Sequence, residues 1–162
     1  MLASFALIAA LLQSSPCSTP EYRQFDFWLG EWNVFGPKGA QVGTNRIERQ
    51  FDGCVVQENW VGAGGGVGSS FNTYSPATKQ WHQTWVDNQG TLLLLDGAFK
   101  DGAMTLSGQV PGPNGKTTLH RVRWSLIGGD PNRVRQLWES STDGGKTWSV
   151  AFDGTYVRKV PS

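Results

Sequence analysis

Among the side chains able to do chemistry, Glu58 and His120 stand out, because each sits in a run that alternates with aromatic or aliphatic residues. Cys54, Val56, Glu58 and Trp60 share one face of an extended segment, and so do Trp81, Gln83 and Trp85. His120, Val122, Trp124 and Leu126 oppose Arg121 and Arg123, while Val134, Gln136 and Trp138 oppose Arg133, Arg135 and Glu139. Successive side chains of a strand point to opposite faces, so the aromatic set of each run is the interior one. Brought together, Trp60, Trp85, Trp124 and Trp138, with Glu58, Gln83, His120 and Gln136 among them, form an apolar lining with a few polar groups. That is the make-up of a small-molecule pocket. A carboxyl group among indole rings loses hydration, which raises its pKa and suits it to general acid or base work; Glu58 is one candidate for that role and His120 the other. The plainer reading is that the same rings fill the interior as packing and the polar groups bond one another.

Other chemistries lack their residues. The only histidines are His82 and His120, with no H-x-H or H-E-x-x-H spacing and no cysteine pair at metal-ligand distance, so no metal site is expected. No G-x-S-x-G elbow supports a hydrolase triad. Gly115-Lys116-Thr117 and Gly145-Lys146-Thr147 look like the end of a phosphate loop, but Val110 and Ser140 stand where its first glycine belongs. Ser141-Thr142-Asp143-Gly144-Gly145-Lys146-Thr147-Trp148 matches the S-x-D-x-G-x-T-W pattern of an Asp box. Its role is structural: Asp143 accepts hydrogen bonds from the turn backbone and Trp148 packs the hairpin. With 14 basic and 13 acidic residues and no clustered stripe of Lys or Arg, the chain has no footprint for nucleic acid.

The elements that must position these side chains are strands. Turn signals recur at Gly36–Gly39, Asp52-Gly53, Gly62–Gly66, Ser75–Thr78, Asp87–Gly90, Lys100–Gly102, Pro111–Gly115, Gly128–Asn132 and Asp143–Gly145. Each carries residues that tolerate positive φ or preset a turn. They divide Glu31–Lys159 into about ten strands with short connections, an all-β, antiparallel, up-and-down meander. Such a meander leaves two exposed edges unless it closes into a barrel, and closure is the expectation. A short helical turn at Phe25–Leu29, ahead of the first strand, plugs one end through Phe27 and Trp28.

Leu2–Leu12 is an uncharged apolar run, too short to span a bilayer and suited to the core of a secretory signal. A leader over 1–18 and one domain over 19–162 are expected, with export to the periplasm or beyond and no transmembrane segment in the mature protein. Ser14-Ser15-Pro16 ahead of Cys17 does not suit lipid attachment. A disulfide between Cys17 and Cys54 requires that Cys17 be retained.

Phe25-Asp26-Phe27-Trp28-Leu29-Gly30-Glu31-Trp32-Asn33-Val34 resembles the opening of calycin-like barrels, the group that includes lipocalins, fatty-acid-binding proteins and nitrobindins, where a helical turn leads to a G-x-W. Lys79–Asp87 and Phe152–Arg158 also look like parts of an uncharacterised bacterial family with an F-x-F-W-L-G-E-W opening. The resemblance implies structural roles for Gly30 and Trp32, with Arg158 covering the Trp32 ring as a cation–π partner. Nitrobindins hold haem through a late histidine; none follows His120 here, so no cofactor is expected. Three functions follow as expectations: a barrel that binds a small apolar or amphipathic molecule; an isomerase, cyclase or hydratase using Glu58 or His120; or a packed barrel that acts through its surface in the cell envelope.

Overall fold

Turn-forming residues follow each strand but the last. The computed structural model describes residues 16–112 and 115–160, and the apolar run at 2–12 lies outside them. Ten strands follow one another: β1 (Gly30–Phe35), β2 (Gln41–Gln50), β3 (Val55–Gly62), β4 (Val67–Ser75), β5 (Gln80–Asp87), β6 (Leu92–Lys100), β7 (Ala103–Pro111), β8 (Thr117–Ile127), β9 (Asp130–Ser141) and β10 (Ser149–Arg158). Each pairs antiparallel with the next, and β10 returns to β1 with Trp32 opposite Arg158 and Phe35 opposite Thr155. The sheet is thus a closed up-and-down barrel without a free edge. One connection is tighter than its sequence suggests: β8 and β9 turn on Gly128 and Gly129 alone, both at positive φ, and β9 already begins at Asp130. A two-residue hairpin needs that left-handed pair.

The chain before β1 closes one end. Two 3-10 segments, Pro20–Arg23 and Asp26–Trp28, carry Phe25 and Trp28 into the barrel, where neither has any exposed surface. Phe25 stacks on Trp28 at 4.8 Å between ring centres and meets Trp124 and Trp81 edge-on at 5.3 and 5.7 Å. The plug is therefore Phe25 with Trp28, and Phe27 instead lies to the side, its ring 6.0 Å from that of Phe99. Residues three apart eclipse in a 3-10 turn, which places Phe25 and Trp28 on one side. Trp32, Leu95, Met104, Leu106 and Val134, all fully buried, complete this packed half.

Three devices fasten the plug. Gly30 has φ of +125°, and a Cβ there would collide with the Arg158 guanidinium, so only glycine admits that group. Arg158 donates to the carbonyl oxygens of Leu29 at 2.8 Å and Pro131 at 3.1 Å, and its guanidinium carbon lies 4.2 Å from the Trp32 ring centre. Trp32 Nε1 in turn donates to the Trp28 carbonyl at 2.9 Å. Asp26 forms an ion pair with Arg49 of β2. Finally, a disulfide between Cys17 and Cys54 ties the segment ahead of the plug to the turn before β3. Among the described residues no helix is long and apolar enough to cross a membrane.

Candidate functional site

Away from the plug the barrel is hollow. Glu58 and Trp60 of β3, Gln83 and Trp85 of β5, Leu93 of β6, Val122 of β8, Gln136 and Trp138 of β9, and Phe152 and Tyr156 of β10 surround a cavity. Its volume is about 120 Å³, smaller than the clefts that enclose a drug-sized ligand and open at its mouth, so it suits a small molecule or the head of a longer one.

Glycines on the same or an adjacent strand make room for the cavity rings. A Cβ on Gly43 would come within 2.5 Å of the Trp60 ring, and one on Gly154 within 2.5 Å of the Phe152 ring. On Gly68 it would overlap the edge of the Trp85 ring and lie 2.9 Å from the Val86 carbonyl oxygen. Each aromatic side chain therefore lies flat against bare backbone, which keeps the lumen open.

The floor is a polar network inside the apolar wall. Glu58 is only 4% exposed, and its two carboxyl oxygens accept from Asn45 Nδ2 and Ser70 Oγ, both at 2.7 Å. Asn72 Nδ2 donates to Ser70 Oγ at 3.0 Å, and Gln83 Nε2 donates to Asn72 Oδ1 at 2.8 Å. On the other side the Tyr156 hydroxyl donates to Gln136 Oε1 at 2.5 Å while accepting from Asn45 Nδ2 at 3.2 Å. Burial pushes the Glu58 carboxyl up to about 7, against the opposing pull of its two donors. Burial also pushes the Tyr156 hydroxyl up, reinforced by the adjacent Glu58 charge. The cavity thus presents one carboxyl group poised near neutrality, two amide groups and a ring of indoles.

Six of the eight residues expected in the lining, Glu58, Trp60, Gln83, Trp85, Gln136 and Trp138, meet around this one space. Trp124 does not. It points inward but one inward step nearer the plug than Val122, and is sealed against Phe25 and Trp28. His120 also lies apart from the cavity wall. Its Nδ1 accepts from Trp138 Nε1 at 3.0 Å, and partial burial holds its pKa below the ordinary value. That bond fixes the neutral tautomer with the proton on Nε2, so His120 positions the Trp138 ring. Sequence reasoning missed Leu93, Phe152 and Tyr156 in the wall and Asn45, Ser70 and Asn72 beneath it. The alternation Phe152-Gly154-Tyr156 was a usable signal; the polar residues of β2 and β4 carried none.

The Asp143 turn is self-contained. Its carboxylate accepts from the backbone of Lys146 and Thr147 at 2.9–3.0 Å and from the hydroxyls of Ser141 at 2.7 Å and Thr147 at 2.6 Å. These donors hold its pKa far below the usual carboxylate range. Trp148 Nε1 donates to the Gly145 carbonyl, and the Arg121 guanidinium lies 4.0 Å from the Trp148 ring centre. Among the described residues no three of His, Cys, Asp and Glu converge where they could hold a metal ion. No protein-family model matches the chain and no curated protein matches it, so the reading of the site rests on its geometry.

Proposed function

We propose that the protein is an exported, calycin-like barrel that binds a small apolar or amphipathic molecule in its aromatic lumen. The observation that carries this reading is the open cavity walled by Trp60, Trp85, Trp138 and Phe152 above the Glu58 floor. An interior meant only as a core would be filled to the density found in the plugged half. Export is supported by the apolar run at 2–12 and by the Cys17–Cys54 disulfide, since such bonds persist in oxidising compartments. The G-x-W opening with its Arg158 cover is the feature in favour of calycin-like kinship.

A second reading, an enzyme on the same scaffold, is favoured by one observation: a cavity-lining carboxyl group whose pKa lies near neutral pH suits proton transfer. The two readings share a first test. Native mass spectrometry of protein purified from its own host is expected to show a retained small molecule, with tryptophan fluorescence responding to a panel of lipids and aromatics. A bare protein that ignores the panel overturns the binding reading. For the enzyme, Glu58→Gln that leaves turnover of an identified substrate intact removes Glu58 from the mechanism.

A further inference from the structure

Five aromatic rings, those of Trp60, Trp85, Trp138, Phe152 and Tyr156, face a space that contains one ionisable carboxyl group and no basic side chain. The groups around Glu58 are neutral on every side: Asn45 from β2, Ser70 and Asn72 from β4, Gln83 from β5, and Gln136 from β9. The only other titratable neighbour is the Tyr156 hydroxyl from β10, which stays protonated. None of the described ion pairs reaches Glu58. A buried carboxylate with two neutral donors still has lone pairs to spare and no countercharge.

We propose that the ligand of this cavity is an organic ammonium ion, its cationic head held between the indole rings and the Glu58 carboxylate. The inference rests on the small-molecule reading above and names the ligand's chemistry. Aromatic faces carry the negative lobe of the ring quadrupole and attract a cation, the more so when water is excluded. The carboxylate adds a direct Coulombic attraction that the low-dielectric surroundings strengthen. An anionic ligand meets repulsion from the same group, and a neutral apolar ligand leaves it unpaired. Glycines at 43, 68 and 154 set the rings flat along the wall, so a substituted ammonium group of several carbon atoms has room.

Proton linkage follows. Near neutral pH the Glu58 carboxyl is only partly ionised, and a cation binds the ionised form. Binding therefore releases protons around pH 7, and affinity falls by about tenfold for each pH unit below that value.

The test titrates the protein with benzyltrimethylammonium and with neopentylbenzene, which has the same shape and no charge, at pH 8 and pH 6. Tryptophan fluorescence and calorimetry read the affinities. At pH 8 the ammonium compound is expected to bind at least about tenfold more tightly than its neutral counterpart. That advantage shrinks at pH 6 and falls to the smaller share owed to the rings in Glu58→Gln, whereas neopentylbenzene binds equally under all three conditions. Equal affinity of the two probes at pH 8, or a preference for the ammonium that is undiminished in Glu58→Gln, overturns the proposal while leaving a small-molecule cavity standing. Failure of both probes to bind overturns the cavity reading and this inference with it. The pH dependence of the unaltered protein reads the same charge without any substitution, so the proposal stays testable if Glu58→Gln does not fold.

Discussion

Ionisation of Glu58 costs the folded barrel stability. Its carboxyl takes up a proton near pH 7 in the folded protein and near 4.5 when exposed, so between those values the folded state holds the extra proton. Stability then falls as pH rises through that window and levels off above it. The full shift is equivalent to about 3 kcal/mol, an upper figure for a group whose neighbours can relax. His120 works against this trend, because its lowered pKa makes the unfolded chain the better proton acceptor just below its ordinary value. Asp87, Glu139, Asp143 and Asp153, all lowered, lose their stabilisation only as pH falls below the ordinary carboxylate range. Comparing the protein with Glu58→Gln isolates the one group. Urea unfolding of the ligand-free forms at pH 5 and pH 8 is expected to show a stability drop in the unaltered protein that the variant lacks, by up to about 3 kcal/mol. Identical pH dependence in both would mean the carboxyl is better solvated than its burial indicates.

At the scale of the strands, cavity shape depends on which residues lie beside each ring. The β4 glycine at 68 is the sharpest case, because a methyl group there meets both the Trp85 ring and the Val86 carbonyl. The carbonyl belongs to a strand of the closed barrel and cannot retreat, so the ring must swing into the lumen. Gly68→Ala is expected to weaken neopentylbenzene binding at least about tenfold and to cost about 1–3 kcal/mol in urea unfolding. Gly64→Ala, in the β3–β4 hairpin where an added Cβ meets nothing within 4 Å, should change neither. Equal affinities for the two variants would show that the ring does not depend on its glycine. The same strands show what the sequence could and could not reveal. Alternation identified the inward faces of β3, β5, β8 and β9, because apolar residues mark them every second position. It could not tell height along the barrel axis: His120, Val122 and Trp124 share one face, yet one stands outside the cavity wall, one lines it and one is sealed in the plug. Height comes from strand stagger and from where the N-terminal segment inserts, neither of which a period of two encodes. Asn45, Ser70 and Asn72 were hidden for the opposite reason, since polar residues pointing inward read as an outer face.

For the whole molecule, the two ends of the barrel have separate tasks, and the disulfide allows them to be separated by experiment. Cys17 and Cys54 are 37 residues apart and bracket the plug segment and the first two strands. Closing a loop of that length in the unfolded chain is worth about 3–4 kcal/mol on the chain-entropy account. The bond lies at the packed end, where Arg23 also donates to the carbonyl oxygens of Cys17 and Gly53. Cys17→Ser combined with Cys54→Ser is therefore expected to lower stability by about 3–4 kcal/mol in urea unfolding. The cavity walls, by contrast, are held by β3, β5, β6, β8, β9 and β10 and by the Trp138–His120 bond, and of these only β3 adjoins the disulfide, through Val55 next to Cys54 and not through its lining residues Glu58 and Trp60. Under conditions where the double variant remains folded, its affinity for neopentylbenzene should equal that of the unaltered protein. A loss of affinity in parallel with the loss of stability would show that the plug sets the shape of the floor through Tyr156, whose ring lies 6.2 Å from both Trp28 and Trp32. The barrel would then act as one mechanical unit, with its packed end tuning the hollow one.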